Sequence, residues 1–216
     1  MSLRSYEEEE MVYTAVQNYL NENKILDKSN VISYINSYFA KASININVKG
    51  IIKHLESLVE KKRIVEGSKL TKINVLRNSR RKNIHEFISE NPGVYYNKIV
   101  KDLKLSNHVV YWHTSILLKF GFIKTIKIEN HEIFFNSKLK QDEVKKHYFS
   151  TIKEKSKKMV NFLKNYELGI TGLKLASILH IHPKTVKKYL IYLEEVGLVE
   201  KKKVSAKKTL YFYKDY

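Results

Sequence analysis

Apolar positions within residues 81–90 fall at Ile84, Phe87 and Ile88, the three-to-four spacing of one helical face, and Asn91-Pro92-Gly93 ends the run. A second stretch, 95–104, gathers Ile99, Val100 and Leu103 on one side. Leu105-Ser106 then makes a short turn, with Ser106 placed as N-cap of a third helix over 107–120. Its inward stripe is Val110, Thr114 and Leu117, and Gly121 is its stop. Residues 122–128 and 131–135 read as strands around Glu129-Asn130, so the pattern predicts three helices followed by a hairpin.

The same plan recurs. Shifted by 76 residues, 81–124 overlays 157–200 without a gap. Ile84 falls on Val160, Phe87 on Leu163, Gly93 on Gly169, Ile99 on Leu175, Val110 on Val186, Leu117 on Leu193 and Gly121 on Gly197. A repeat of this kind fixes architecture before any other signal is weighed. In the later copy, Ile181-His182-Pro183 puts Pro183 at the first position of the third helix, where a missing N–H costs nothing. Residues 198–203 and 207–213 form its hairpin.

A fainter copy precedes both, with helices over 11–20, 31–39 and 48–59. A shift of 59 brings Ile51, His54, Leu55 and Leu58 onto Val110, His113, Thr114 and Leu117. Lys62 stands in place of the terminal glycine, and 63–66 with 69–75, around Gly67-Ser68, predict a hairpin. Residues 142–166 contain no Gly or Pro and predict one long helix. Its stripe Val144, Tyr148 and Ile152 fits either packing against the preceding hairpin or a homodimer contact. The resulting division is 1–76, 77–140, a connecting helix 141–156, and 157–216.

Charge adds direction. The net charge is +18, and it is uneven: 1–76 carry 11 Lys/Arg against 9 Asp/Glu, 77–140 carry 12 against 5, and 141–216 carry 17 against 8. Such a surface attracts polyanions, chiefly nucleic acid or anionic membrane. The chain has no cysteine, which removes disulfides, thiolate nucleophiles and cysteine zinc sites. No apolar run approaches a membrane span, and the four Glu at 7–10 have the wrong sign for a signal or transit peptide. The expectation is a soluble cytoplasmic protein, associated with the nucleoid.

The string Leu105-Ser106-Asn107-His108-Val109-Val110-Tyr111-Trp112-His113, followed by Leu117, Gly121, Phe122 and Ile123, resembles the winged helix-turn-helix transcriptional regulators common in archaea and bacteria. The likeness covers roughly 80–210, and 169–200 repeats it. Two positions depart from the family pattern: Thr114 stands where Leu is usual, and the later copy has Tyr189-Leu190 instead of His-Leu. The resemblance implies a mainly α fold with small β-wings (α+β), built as tandem winged-helix domains. It also implies duplex DNA binding and transcription regulation; separately, no cofactor is expected.

On helix phase, Asn107, His108, Tyr111, Trp112, Ser115 and Lys119 face outward from the second copy's third helix. Asn pairs bidentately with adenine, and Tyr and His bond phosphate. Trp112 also suits partial burial against the wing, and His113 suits a core position bonded to a backbone carbonyl. Lys124 and Lys127 lie on that copy's hairpin. In the third copy Lys184, Lys187 and Lys188 share an outward face, backed by Lys201, Lys202, Lys203, Lys207 and Lys208 on the last hairpin. Lysine supplies phosphate contacts and little base discrimination. Arg77, Arg80 and Arg81 hold three of only five arginines and suit phosphates or a narrow minor groove, or form a charged linker.

In the first copy Lys49 and Lys53 are interrupted by Glu56 and Glu60. The acids at 7–10 favour the start of a helix and repel phosphate, so this domain reads as a site for a protein partner. Enzymatic readings find no support: His180 and His182 lack a nearby carboxylate, His131-Glu132 point to opposite strand faces, and no glycine loop cradles phosphate. No metal or catalytic residue is expected. The rival to a sequence-specific or semi-specific DNA-binding regulator is a tandem winged-helix protein-interaction adaptor, of endosomal-sorting or polymerase-associated type. RNA binding is a second, for which stacking aromatics on an open sheet are expected.

Overall fold

The computed structural model describes residues 3–22, 25–206 and 208–214. The chain divides into two compact units, Met1–Glu86 with Ser106–Ile123, and Phe87–Leu105 with Lys124–Tyr216. Residues 77–140 therefore contribute segments to both units, and the divisions expected at 76 and 140 do not coincide with the units' edges.

In the first unit, α1 (Leu3–Glu22), α2 (Lys28–Lys41) and α3 (Val48–Glu60) enclose Val12, Val16, Ile35, Phe39, Ile51 and Leu58. Asp27 and Asn47 cap α2 and α3, accepting from the Asn30 and Gly50 N–H groups at 2.8 and 2.9 Å. The predicted hairpin shrinks to one bridge between Ile64 and Thr71, and Lys72–Val75 is a short helix, α4, not a strand. That turn buries Val75 and leaves Ile73 62% exposed, which a strand of the same alternation would have placed on one face.

The acids of α1 also correct the sequence reading. The helix is already running at Leu3, so Glu8, Glu9 and Glu10 sit in its interior and not in its first turn. Glu9 is buried, bonded to Lys61 Nζ at 2.7 and 2.8 Å and to Ser57 Oγ at 2.7 Å. Glu10 takes Arg63 bidentately, and Glu8 meets His54 Nε2 at 3.3 Å. Burial disfavours the Glu9 charge, but its bonds to Lys61 and Ser57 and the charges of Lys61 and Arg63 hold its carboxyl below the usual range. These acids brace α1 to the end of α3. The first unit also holds α5 (Ser79–Glu90) as far as Glu86, and α7 (Asn107–Lys119).

In the second unit, β1 (Val94–Tyr95), β2 (Ile123–Ile128) and β3 (His131–Asn136) form a sheet in the order β1-β3-β2, beside α6 (Tyr96–Asp102). Then come α8 (Gln141–His147), α9 (Glu154–Lys164), α10 (Gly172–Leu179), α11 (Pro183–Glu195) and the hairpin β4 (Val199–Ser205) with β5 (Lys208–Tyr213). The predicted long helix is broken. Tyr148–Ile152 is a wide π-turn, and Lys153 is extended at φ −79°, ψ 99°. Consecutive Tyr148 and Phe149 both enter the core, which a single narrow helical stripe cannot arrange, and Lys153 leaves the helix to reach Glu129 at 2.6 Å. The proposed dimer stripe is thereby corrected. Val144 and Tyr148 are buried in one cluster with Ile128, Ile133 and Phe135, and Ile152 packs on it, so the stripe packs on the hairpin and offers no surface to a second copy.

Helices α3, α7 and α11 end in the same way. After α3, α7 and α11, a residue of left-handed backbone follows the cap: Lys62 (φ 55°), Gly121 (φ 67°) and Gly197 (φ 73°). In each case its N–H bonds the carbonyl three back, and the next N–H bonds the carbonyl five back, as in Phe122 to Leu117 (2.9 Å), Leu198 to Leu193 (2.8 Å) and Arg63 to Leu58 (2.8 Å). Helices α2, α6 and α10 close likewise at Ser43, Lys104 and His180, none of them glycine. Lys62 pays the left-handed cost of about 1–2 kcal/mol that its glycine counterparts avoid. Lys62→Gly should therefore raise stability by about 0.5–1 kcal/mol after the added chain entropy of glycine. Urea unfolding measures it, and a lowered midpoint would mean the lysine stem over Gly121 matters more.

Candidate nucleic-acid interface

Ser106 caps α7, accepting from the Val109 N–H at 3.4 Å, and the helix buries Val110, His113, Thr114 and Leu117. Asn107, His108, Tyr111, Trp112 and Lys119 are exposed as the helix phase required, and Ser115 is half-buried with its hydroxyl donated to the Tyr111 carbonyl at 2.7 Å. Trp112 is 49% exposed, with its ring 5.3 Å from the Arg81 guanidinium. His113 is buried as expected, yet its Nδ1 has no hydrogen-bond partner among the described residues, whereas the buried His54 of α3 meets Glu8.

The arginine cluster divides. Arg77 and Arg80 are exposed, but Arg81 is 3% exposed and donates Nη1 to the Val75 carbonyl at 2.7 Å. Arg81 is thus withdrawn from the surface expected for it, because it shares the buried face of α5 with Ile84 and Ile88, three and seven residues on.

α11 begins at Pro183, and the ring Nδ1 of His182 caps it by accepting from the Lys184 N–H at 3.2 Å. Lys184 and Lys187 are exposed and enter no ion pair among the described residues. With Thr171, Leu173, Pro183, Thr209 and Tyr211 they line an open groove of about 450 Å³ between the start of α10, α11 and β5. Lys188 is different: its Nζ lies 2.6 Å from Glu129, which also holds Lys153 at 2.6 Å. The Glu129 bond raises the Lys188 pKa, and the two lysines, against the cost of burial, keep the Glu129 carboxyl below its usual range. Phe149 stacks on Tyr192 of the same helix at 5.0 Å, so one side of α11 is covered from within its own unit.

On the last hairpin Lys201 pairs with Glu194 at 2.9 Å and Lys202 with Glu200 at 3.8 Å, while Lys203 and Lys208 are exposed. Lys124 and Lys127 are exposed on β2, and Lys207 lies outside the described residues. The sequence pattern marks Glu129 only as a turn residue. Its φ of 54° fits that role, and no sequence signal marked it as the acid that would claim Lys188. Among the described residues no group of His, Asp and Glu is arranged to hold a metal, and no helix is long and apolar enough to cross a membrane.

These elements define a mainly helical α+β protein with small antiparallel sheets. No protein-family model matches the chain. It is similar to an uncharacterized HTH-type transcriptional regulator of Methanocaldococcus jannaschii, at 28% identity over 128 residues, 59% of this chain and 32% of the relative. The chain thus spans about a third of that relative's length.

Proposed function

We propose that this chain is a duplex-DNA-binding transcription regulator made of three winged helices in tandem, of which the second and third meet DNA. The observation that carries this reading is the exposed cationic face of α11, where Lys184 and Lys187 border an open groove with no acid paired to them. The matching closures of α3, α7 and α11 support the tandem plan, and the relative's description as a helix-turn-helix regulator supports the functional class. In the second repeat, Asn107 and His108 at the start of α7 are the candidates for base contact. In the third, lysines supply phosphate contact with weak base preference.

The first repeat is assigned to protein contact. Its third helix exposes Glu56 and Glu60 at a cleft of about 250 Å³ floored by Leu26, Val31, Leu55 and Ile64, a poor surface for phosphate. The test is fluorescence anisotropy of the full chain on a selected duplex and on random duplex. Asn107→Ala should cost roughly 1–3 kcal/mol on the selected site and little on random DNA. Lys184→Ala with Lys187→Ala should weaken both alike. Equal losses for Asn107→Ala on the two duplexes would remove its base-reading role.

A further inference from the structure

α5 opens beside a cavity of about 320 Å³ lined by Asn78, Ser79, Arg80, His108, Trp112 and His113, all within the first unit. Asn78 caps the helix, accepting from the Arg81 N–H at 3.1 Å. Behind the Trp112 wall lies the Arg81 guanidinium, buried and with a single carbonyl bond at Nη1, while its Nε has no acceptor. Arg81 enters no ion pair among the described residues, and a buried cation without a counter-charge is costly to a fold. His113 lines the cavity, is nine-tenths buried, and its Nδ1 is also without a partner. Burial, with the charges of Arg81 and Arg80, pushes its pKa below the ordinary value. Two arginines, a helix start and two buried donors or acceptors without partners thus converge where no acid answers them.

We propose that this cavity is a phosphate site, with the exposed Arg80 and the first turn of α5 as its donors and buried Arg81 as a fixed positive background. Guanidinium groups and helix N-termini both favour tetrahedral oxyanions. The half-exposed Trp112 beside the cavity provides a flat apolar wall for the group that the phosphate carries. The phosphate is either a backbone diester, in which case the proposal rests on the DNA-binding reading above, or a free phosphate ester, in which case it does not.

Trp112 is the chain's one tryptophan, so its emission reports on this cavity in the full-length protein. Inorganic phosphate, adenosine 5′-monophosphate and random duplex DNA are titrated separately against chloride of equal ionic strength. At least one should change Trp112 emission saturably, and Arg80→Ala should weaken that titrant by about tenfold or more, as loss of a charge-assisted bond requires. Lys155→Ala, which removes an exposed charge on α9, is the control and should leave it unchanged. A response to phosphate or the mononucleotide assigns a free ester; a response to duplex alone, lost in Arg80→Ala, assigns the backbone. Silence of Trp112 toward all three, or an Arg80→Ala protein that responds like the parent, overturns the site. Anisotropy of labelled duplex is read in parallel. DNA binding with a silent Trp112 sinks the cavity and spares the DNA reading, and phosphate binding without DNA binding does the reverse.

Discussion

Raising salt from about 50 to about 200 mM should cut the affinity of this chain for duplex DNA by about a thousandfold or more. Arg77, Arg80, Lys124, Lys127, Lys184, Lys187, Lys203 and Lys208 are exposed and form no ion pair among the described residues. If about six to eight cations neutralise phosphates, log affinity falls against log salt with a slope near −5 to −7, because each releases about 0.9 of a counterion. The structure sharpens how that slope is divided. Lys188 is paired with Glu129, so Lys188→Ala should flatten the slope by less than the loss of an unpaired lysine does. Lys184→Ala with Lys187→Ala should flatten it by about two. A flat salt dependence, or no binding at about 50 mM, would favour the adaptor reading instead.

Alanine at position 169 should cost the protein about 2–4 kcal/mol. Gly169 has φ +69°, where any L side chain is strained by about 1–2 kcal/mol. A Cβ there would also stand 2.3 Å from Phe212 Cζ and 2.4 Å from Cε1, inside any tolerable contact. The ring must then leave its place beside the Ile170–Tyr211 bridge that ties this turn to β5. Gly67→Ala provides the comparison, since its φ is +71° but its Cβ meets nothing within 4 Å. Urea unfolding of both should show Gly67→Ala losing only the backbone share. Equal losses would mean that Phe212 swings aside freely.

What the sequence could tell depended on whether a residue's chemistry has local consequences. Ser106, Pro183, Gly121 and Gly197 act on the backbone within a turn of themselves, and their helices start and stop where composition says. Lys104 and His180 take the same left-handed closure, but nothing in a lysine or histidine announces it. The break at 148–153 has no Gly or Pro; it arises because Tyr148 and Phe149 both find core, which only packing decides. The candidate interface was legible as a set of outward helix positions. It was not legible which cations are already answered, since Glu129 and Lys188 lie far apart in sequence, nor that Arg81 turns inward toward Val75.

The division of the middle repeat has a consequence for synthesis on the ribosome. The first unit needs Ser106–Ile123 as well as Met1–Glu86, so it cannot close when Glu86 emerges. At about 5–20 residues per second, the nascent chain waits roughly 2–7 s for the remaining segment. During that interval the first unit lacks Val110 and Leu117, both fully buried in the finished protein. The interval is the stage at which a holding chaperone would find exposed apolar surface, and at which pausing before residue 123 would do the most harm.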